Sequence, residues 1–151
     1  MSEIRELYQE LILDHNRNPR NFKPLPDANH HSEGFNPLCG DHYHVYIKTD
    51  ENGTIQEITF DGKGCAISKA SASLMTGFLK GKSVEEAIVA FDSFHDVVTG
   101  KIDPETGMAE LGKLAVFAGV REFPVRVKCA SLAWHTMKAA LTETETVIST
   151  E

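Results

Sequence analysis

The chain has no apolar run long enough to cross a bilayer. A membrane helix needs about eighteen or more such residues, and the longest stretch here runs only from Leu114 to Val120. A membrane partner is therefore not expected. Cysteine is scarce as well: three thiols form an odd set that cannot pair completely, and no Cys-x-x-Cys pair occurs. The opening residues Met1-Ser2-Glu3-Ile4-Arg5-Glu6 carry charge where a secretory signal would be apolar. The expectation is a cytoplasmic chain with reduced thiols. Basic residues are outnumbered, fifteen Lys and Arg against twenty-two Asp and Glu, for a net charge of −7. Such a surface repels phosphate backbones, so nucleic acid is not the expected partner. Internal repeats and low-complexity segments are absent too.

What is present fits one domain spanning 1–151, long enough to bury a core without disulfides. Ile4, Leu7, Leu11 and Ile12 recur at helical spacing and predict a helix over 2–15, stopped by Asn18-Pro19. Residues 21–27, with two prolines, read as an ordered surface connection. A short edge strand is expected within 28–35. Tyr43, Val45 and Ile47 alternate with His42, His44, Tyr46 and Lys48, the signature of a half-buried strand. Asn52-Gly53 then predicts a hairpin turn into a second strand over 54–60, where Ile55 breaks the parity and points to a bulge. Helices are expected from Ala66 to the Gly81 cap, after the capping box Ser83-Val84-Glu85-Glu86, over Leu111 to Val120, and from Val125 to about Leu141. Gly100 to Gly107 reads as a loop, and the polar tail over 142–151 as flexible. The order of elements gives an α+β fold: a small three-stranded antiparallel sheet with several helices packed mainly on one face.

The residues that carry chemistry sit at turns and element ends. Cys39 and Asp41 flank Gly40, and residues two apart in an extended segment point to the same side, so the pair can act as one ligand arm. Cys65 follows Gly62-Lys63-Gly64 and opens a predicted helix, where unpaired N–H groups favour thiolate. Cys129 lies at the start of the last helix, beside Lys128 and close to Arg126. Any one of these cysteines could be an ordinary core residue. Together, with their flanking glycines and cations, they read as a shared site. Three thiolates and a carboxylate match the ligand number of tetrahedral zinc. They over-neutralise Zn²⁺ by two charges, which Lys63, Arg126 and Lys128 are placed to offset. The carboxylate is the hard member of a soft set and the most exchangeable ligand. His42 and His44 fall on the opposite strand face from Asp41, and none of the histidines is expected as a ligand.

With those residues identified, the sequence resembles the IscU/SufU family of iron–sulfur cluster assembly proteins. The likeness rests on Tyr8 to His15 with Asn18 to Phe22, then Asn36-Pro37-Leu38-Cys39-Gly40-Asp41, Gly62 to Ser68, and Val127 to Trp134. It looks most like the SufU branch. Sixty-three residues separate Cys65 from Cys129, and Lys128 stands where IscU proteins place a histidine. The Leu-Pro-Pro-Val-Lys motif of IscU is replaced by Phe123-Pro124-Val125-Arg126-Val127-Lys128. The resemblance implies a zinc site from Cys39, Asp41, Cys65 and Cys129, with Cys39 as persulfide carrier. It implies a zinc-dependent sulfurtransferase that accepts sulfur from a SufS-type cysteine desulfurase and works with other iron–sulfur assembly proteins. The competing expectations are a scaffold that holds a labile [2Fe–2S] cluster on the same four groups, and a domain with a purely structural zinc.

Overall fold

The computed structural model describes residues 2–37, 40–142 and 147–149. Helix α1 (Ser2–Arg17) leads into strands β1 (His30–Asn36), β2 (Asp41–Thr49) and β3 (Ile55–Lys63). Helices α2 (Ala66–Leu79), α3 (Val84–Thr99) and α4 (Pro104–Leu111) follow, then a 3-10 helix (Gly112–Val120), α5 (Pro124–Thr142) and a short strand β4 (Val147–Ser149). The sheet order is β3-β2-β1-β4. The first three strands are antiparallel as expected. β4 adds a short strand parallel to β1 and covers its outer edge, within a segment read from sequence as a flexible tail. Residues 143–146 and 150–151 of that tail lie outside the described residues. No helix among the described residues is long and apolar enough to cross a membrane.

Strand parity divides the sheet cleanly. Tyr43, Val45 and Ile47 of β2 are fully buried and face the helices with Ile58 and Phe60 of β3. His42, His44 and Tyr46 alternate to the other face. The bulge signalled by Ile55 is real: the β2–β3 register slips between Lys48 and Thr49. β1 and β2 are joined by the short connection after the Asn36↔Asp41 pair, which places the start of β2 beside the end of β1.

Helix positions are set by small residues at the contacts. A Cβ on Gly34 of β1 would run into Thr136 Oγ1 and lie 3.1 Å from Leu132 Cδ1, so the glycine is what lets α5 press against the sheet. Ser71 of α2 donates to the Ala130 carbonyl of α5 at 2.6 Å, fixing the two helices side by side. Phe94 of α3 stacks on Trp134 of α5 at 4.5 Å. His15 Nδ1 meets Ser73 Oγ at 2.6 Å, and the Arg20 N–H donates to the same oxygen at 2.8 Å, which holds α1 and the following connection to α2.

Two helix expectations also change. The span read as a loop from Gly100 to Gly107 already turns helical at Pro104, because Asp103 caps it by accepting the Thr106 N–H at 2.8 Å and proline is well suited to a first helical position. The buried segment expected to be α-helical up to Val120 is a 3-10 helix that follows Gly112, whose φ of +58° breaks the preceding α-helix. Six of its nine residues are buried, so core packing holds a length of 3-10 helix that is seldom seen in isolation.

Candidate metal centre

Three elements converge at one end of the sheet. The turn into β2 is closed by the Gly40 N–H donating to the Asn36 carbonyl at 2.8 Å, with Gly40 at φ +73°. This delivers Asp41 to the buried face, where it is fully shielded from solvent. Cys65 is the N-cap of α2, and its sulfur accepts the Ser68 N–H at 3.4 Å. A thiol in that role satisfies one of the open donors of the helix start. Cys129 faces inward from α5 and is buried. The helix begins at Pro124, so Cys129 lies in its second turn rather than at its start, and the helix dipole acts on it less than the sequence suggested.

One ligand atom each from Asp41, Cys65 and Cys129 lie within 4.8 Å of one another. Asp41 Oδ1 accepts the Cys65 backbone N–H at 2.8 Å, while Oδ2 stands 3.9 Å from Cys65 Sγ. Asn36 Nδ2 approaches Cys129 Sγ at 3.7 Å. Ser68 Oγ lies 3.6 Å from Cys65 Sγ and 3.0 Å from the Tyr43 hydroxyl. A hydrogen bond with Cys129 foremost, and then those from Ser68, hold the Cys65 thiol down to about 6 against the opposing effect of burial. The Tyr43 phenol is pushed up by burial and stays protonated as a neutral partner. Gly64 completes the enclosure: a Cβ there would sit 2.5 Å from the Tyr43 hydroxyl, 2.6 Å from Asp41 Oδ1 and 2.6 Å from Ser68 Oγ.

Of the residues singled out from sequence, Asp41, Cys65 and Cys129 are brought together, and Cys39 lies outside the described residues. Arg126 stacks its guanidinium over the Phe123 ring at 4.5 Å. It is close enough to Tyr8 to act on that phenol, whose pKa is raised by burial and also feels Cys65 and Cys129. Lys128 is half-buried on α5. Lys63 pairs with His42 in the β2–β3 register and shares its face of the sheet, away from Asp41. Sequence reading missed Asn36, Tyr43 and Ser68 as neighbours of the donors. Ser68 alone carried a local signal, standing three residues after a helix-capping side chain.

The donors fit a cation. A fully buried carboxylate is costly without a positive partner, and among the described residues no cationic side chain forms an ion pair with Asp41. Two thiols whose sulfurs lie within 4.8 Å of its oxygen suit a thiophilic or borderline ion.

A small α+β domain that gathers thiol and carboxylate donors at the end of its sheet has, by fold and site, the donor set of a metal- or cluster-handling domain. Known proteins make the class specific: residues 7–130 match the NifU-like N-terminal domain, and the chain belongs to the IscU/SufU family of iron–sulfur cluster assembly proteins. It is 40% identical over 141 residues to the iron–sulfur cluster assembly scaffold protein IscU of Streptococcus pyogenes serotype M1, covering 93% of this chain and 86% of that one. It is 37% identical over 144 residues to the zinc-dependent sulfurtransferase SufU of Bacillus subtilis, covering 95% of each. A solved structure of an iron–sulfur cluster assembly scaffold protein for the SUF system, from Fervidobacterium islandicum AW-1, superimposes with a TM-score of 0.81 at 33% identity, covering 90% of this chain and 97% of that one.

Proposed function

We propose that this protein is a zinc-dependent sulfur acceptor of the SufU kind, taking persulfide sulfur from a SufS-type cysteine desulfurase in the cytoplasm for iron–sulfur cluster biogenesis. The observation that carries the reading is the convergence of Asp41, Cys65 and Cys129 within 4.8 Å. Cys39, two residues before Asp41, is kept by chain connectivity within about 7 Å of it, Cα to Cα. It is assigned as the fourth donor and the sulfur carrier. Zinc held by Cys39, Asp41, Cys65 and Cys129 would keep the thiols as thiolates and so preserve their nucleophilicity at neutral pH. Arg126 and Lys128 of α5 supply positive charge near a donor set that is otherwise anionic.

In the transfer step the Cys39 thiolate attacks the outer sulfur of the desulfurase persulfide. A new S–S bond forms on Cys39 while the donor S–S bond breaks, and the desulfurase cysteine leaves as thiolate. Asp41, Cys65 and Cys129 stay in place through their own hydrogen bonds, so the carrier can move without unfolding the site. The test is desulfurase turnover with this protein added in zinc-loaded and metal-stripped forms. The zinc-loaded chain is expected to stimulate turnover and Cys39→Ala to abolish that stimulation. Full stimulation by Cys39→Ala overturns the assignment.

A second reading has the same four groups carrying a labile [2Fe–2S] cluster as cargo for apo-proteins, and the 40% identity to a relative named as a scaffold favours it. Anaerobic reconstitution that yields a transferable cluster supports it. A chain that binds zinc but forms no transferable cluster removes it.

A further inference from the structure

The outer face of the sheet, which the proposed sulfur site does not use, carries its own group of donors. Glu33 of β1 lies directly opposite His44 of β2, and Phe35 opposite His42. His42 and His44, two apart on one strand, point to the same side, and Glu33 reaches both from the neighbouring strand. One ligand atom from each of the three lies within 4.8 Å of the others. His42 Nε2 and Glu33 Oε2 are already hydrogen-bonded, and His44 Nε2 is 3.8 Å from the same oxygen. Zinc ligands near 2.0 to 2.1 Å from the ion stand about 3.3 Å apart in a tetrahedral site, so small side-chain rotations suffice. All three residues are half-buried, leaving the cluster open to an incoming ion.

The rings are also held in place. His31 stacks on Tyr46 at 4.9 Å and on His44 at 5.3 Å, with interplanar angles of 12° and 8°. His31 Nε2 meets His44 Nδ1 at 3.1 Å. With an ion bound, the tautomer in which His44 Nδ1 donates to His31 Nε2 would leave Nε2 as the ligand atom on the side of Glu33. A partner on the second ring nitrogen is the usual device that orients a metal-ligating histidine. Sequence parity set these histidines apart from Asp41, and the register with β1 gives them a carboxylate of their own.

We propose that Glu33, His42 and His44 form a second metal site for a borderline divalent transition ion, with His31 as a positioning residue for His44. Two imidazoles and one carboxylate leave a position for water or an exchanging ligand, as three-ligand sites of this composition do. The ion replaces the hydrogen bond between Glu33 and His42 with two metal–ligand bonds, and His44 supplies the third. The site stands whether the sulfur-acceptor reading holds or fails, because it shares no donor with that centre.

Cobalt titration of the full, reduced chain, followed by absorption and metal analysis, tests this. Two equivalents of Co²⁺ are expected, one with intense thiolate-to-cobalt charge-transfer bands and one with only weak ligand-field bands. His44→Ala and Glu33→Gln should each remove the second equivalent and leave the thiolate bands intact. Cys129→Ser should alter the thiolate bands and leave the second equivalent bound. His31→Ala should weaken the second equivalent by about 10-fold, and unchanged affinity removes its positioning role. Saturation at one cobalt with full thiolate bands, or a second equivalent indifferent to both His44→Ala and Glu33→Gln, overturns the site. A chain that binds cobalt only without thiolate bands leaves it standing and counts instead against the proposed sulfur centre.

Discussion

Asp41 and Cys65, twenty-four residues apart, are joined by a hydrogen bond of 2.8 Å from the Cys65 backbone N–H to Asp41 Oδ1. The carboxylate therefore has two tasks: one oxygen closes the start of α2, and the other remains available near the thiols. The two can be separated by substitution. Asp41→Asn keeps an oxygen acceptor and removes the charge, so folding should be little changed while zinc affinity falls by more than about 100-fold, beyond the loss from removing an outer hydrogen-bond partner. Asp41→Ala should in addition lose about 1–3 kcal/mol of stability, because the Cys65 N–H is left without an acceptor. Denaturation of the metal-free proteins, compared with zinc competition titrations, reads the two effects independently.

Replacing Asp41 by cysteine exchanges the hard donor for a soft one. Metal binding should tighten and sulfur transfer should slow if, as proposed, the carboxylate is the exchangeable ligand of a zinc site. Single-turnover transfer from a desulfurase persulfide measures this, and an unchanged rate in Asp41→Cys removes the lability argument.

Gly64 has no room for a methyl group. A Cβ would meet three buried polar atoms at 2.5 to 2.6 Å, one of them Asp41 Oδ1, and none can retreat without giving up a hydrogen bond. Gly64→Ala should cost about 1–3 kcal/mol in the metal-free protein and displace Asp41, reducing bound zinc. Thermal denaturation together with metal content checks both parts. A variant of native stability and full zinc would show that the enclosure is looser than its distances indicate.

Ser68 contacts the Cys65 sulfur through both its backbone N–H and its hydroxyl. The hydroxyl helps hold the Cys65 pKa down to about 6. Ser68→Ala retains the backbone contact and removes the other, so the thiol should titrate at higher pH. Iodoacetamide alkylation of the metal-free chain as a function of pH should show its Cys65 midpoint move upward, with Cys129→Ala moving it further because the hydrogen bond with Cys129 lowers the thiol pKa most.

Local patterns made much of this fold legible and left its junctions hidden. The alternation around Tyr43, Val45 and Ile47 predicted both the strand and its buried side, and Ser83 with Glu86 forms the reciprocal capping box that its spacing promised. Ile55 marked the bulge because a parity break is a one-strand property. The helix at Pro104 was obscured by the glycines at 100 and 107, although Asp103 was in place to cap it. β4 could not be read because a three-residue strand depends on finding the edge of β1. In the site, Asp41 and Cys65 were visible through their turns. Asn36 and Tyr43 were not, since their roles arise from contacts across the sheet and with α2 and α5. The group on the outer face was half legible: parity paired His42 with His44, and only the register with β1 supplied Glu33.

His15 ties α1 to α2 through Ser73, and its imidazole pKa is lowered first by burial and then by the charges of Arg20 and Lys113, with Asp14 opposing. A histidine whose folded pKa lies below its unfolded value of about 6.5 favours the neutral form in the native state. The unfolded chain then binds more protons over the intervening range, so the contribution is fully present above about pH 6.5 and is lost as pH falls through the folded value. His15→Gln retains a hydrogen-bonding group but cannot titrate. The difference in urea stability between wild type and His15→Gln should be constant above pH 7 and should shift against the wild type as pH drops below about 6.5. Amide exchange should locate the loss at the contact between α1 and α2. A difference independent of pH from 7 to 5 would mean that the His15 to Ser73 contact survives protonation, with Ser73 Oγ accepting from the imidazolium.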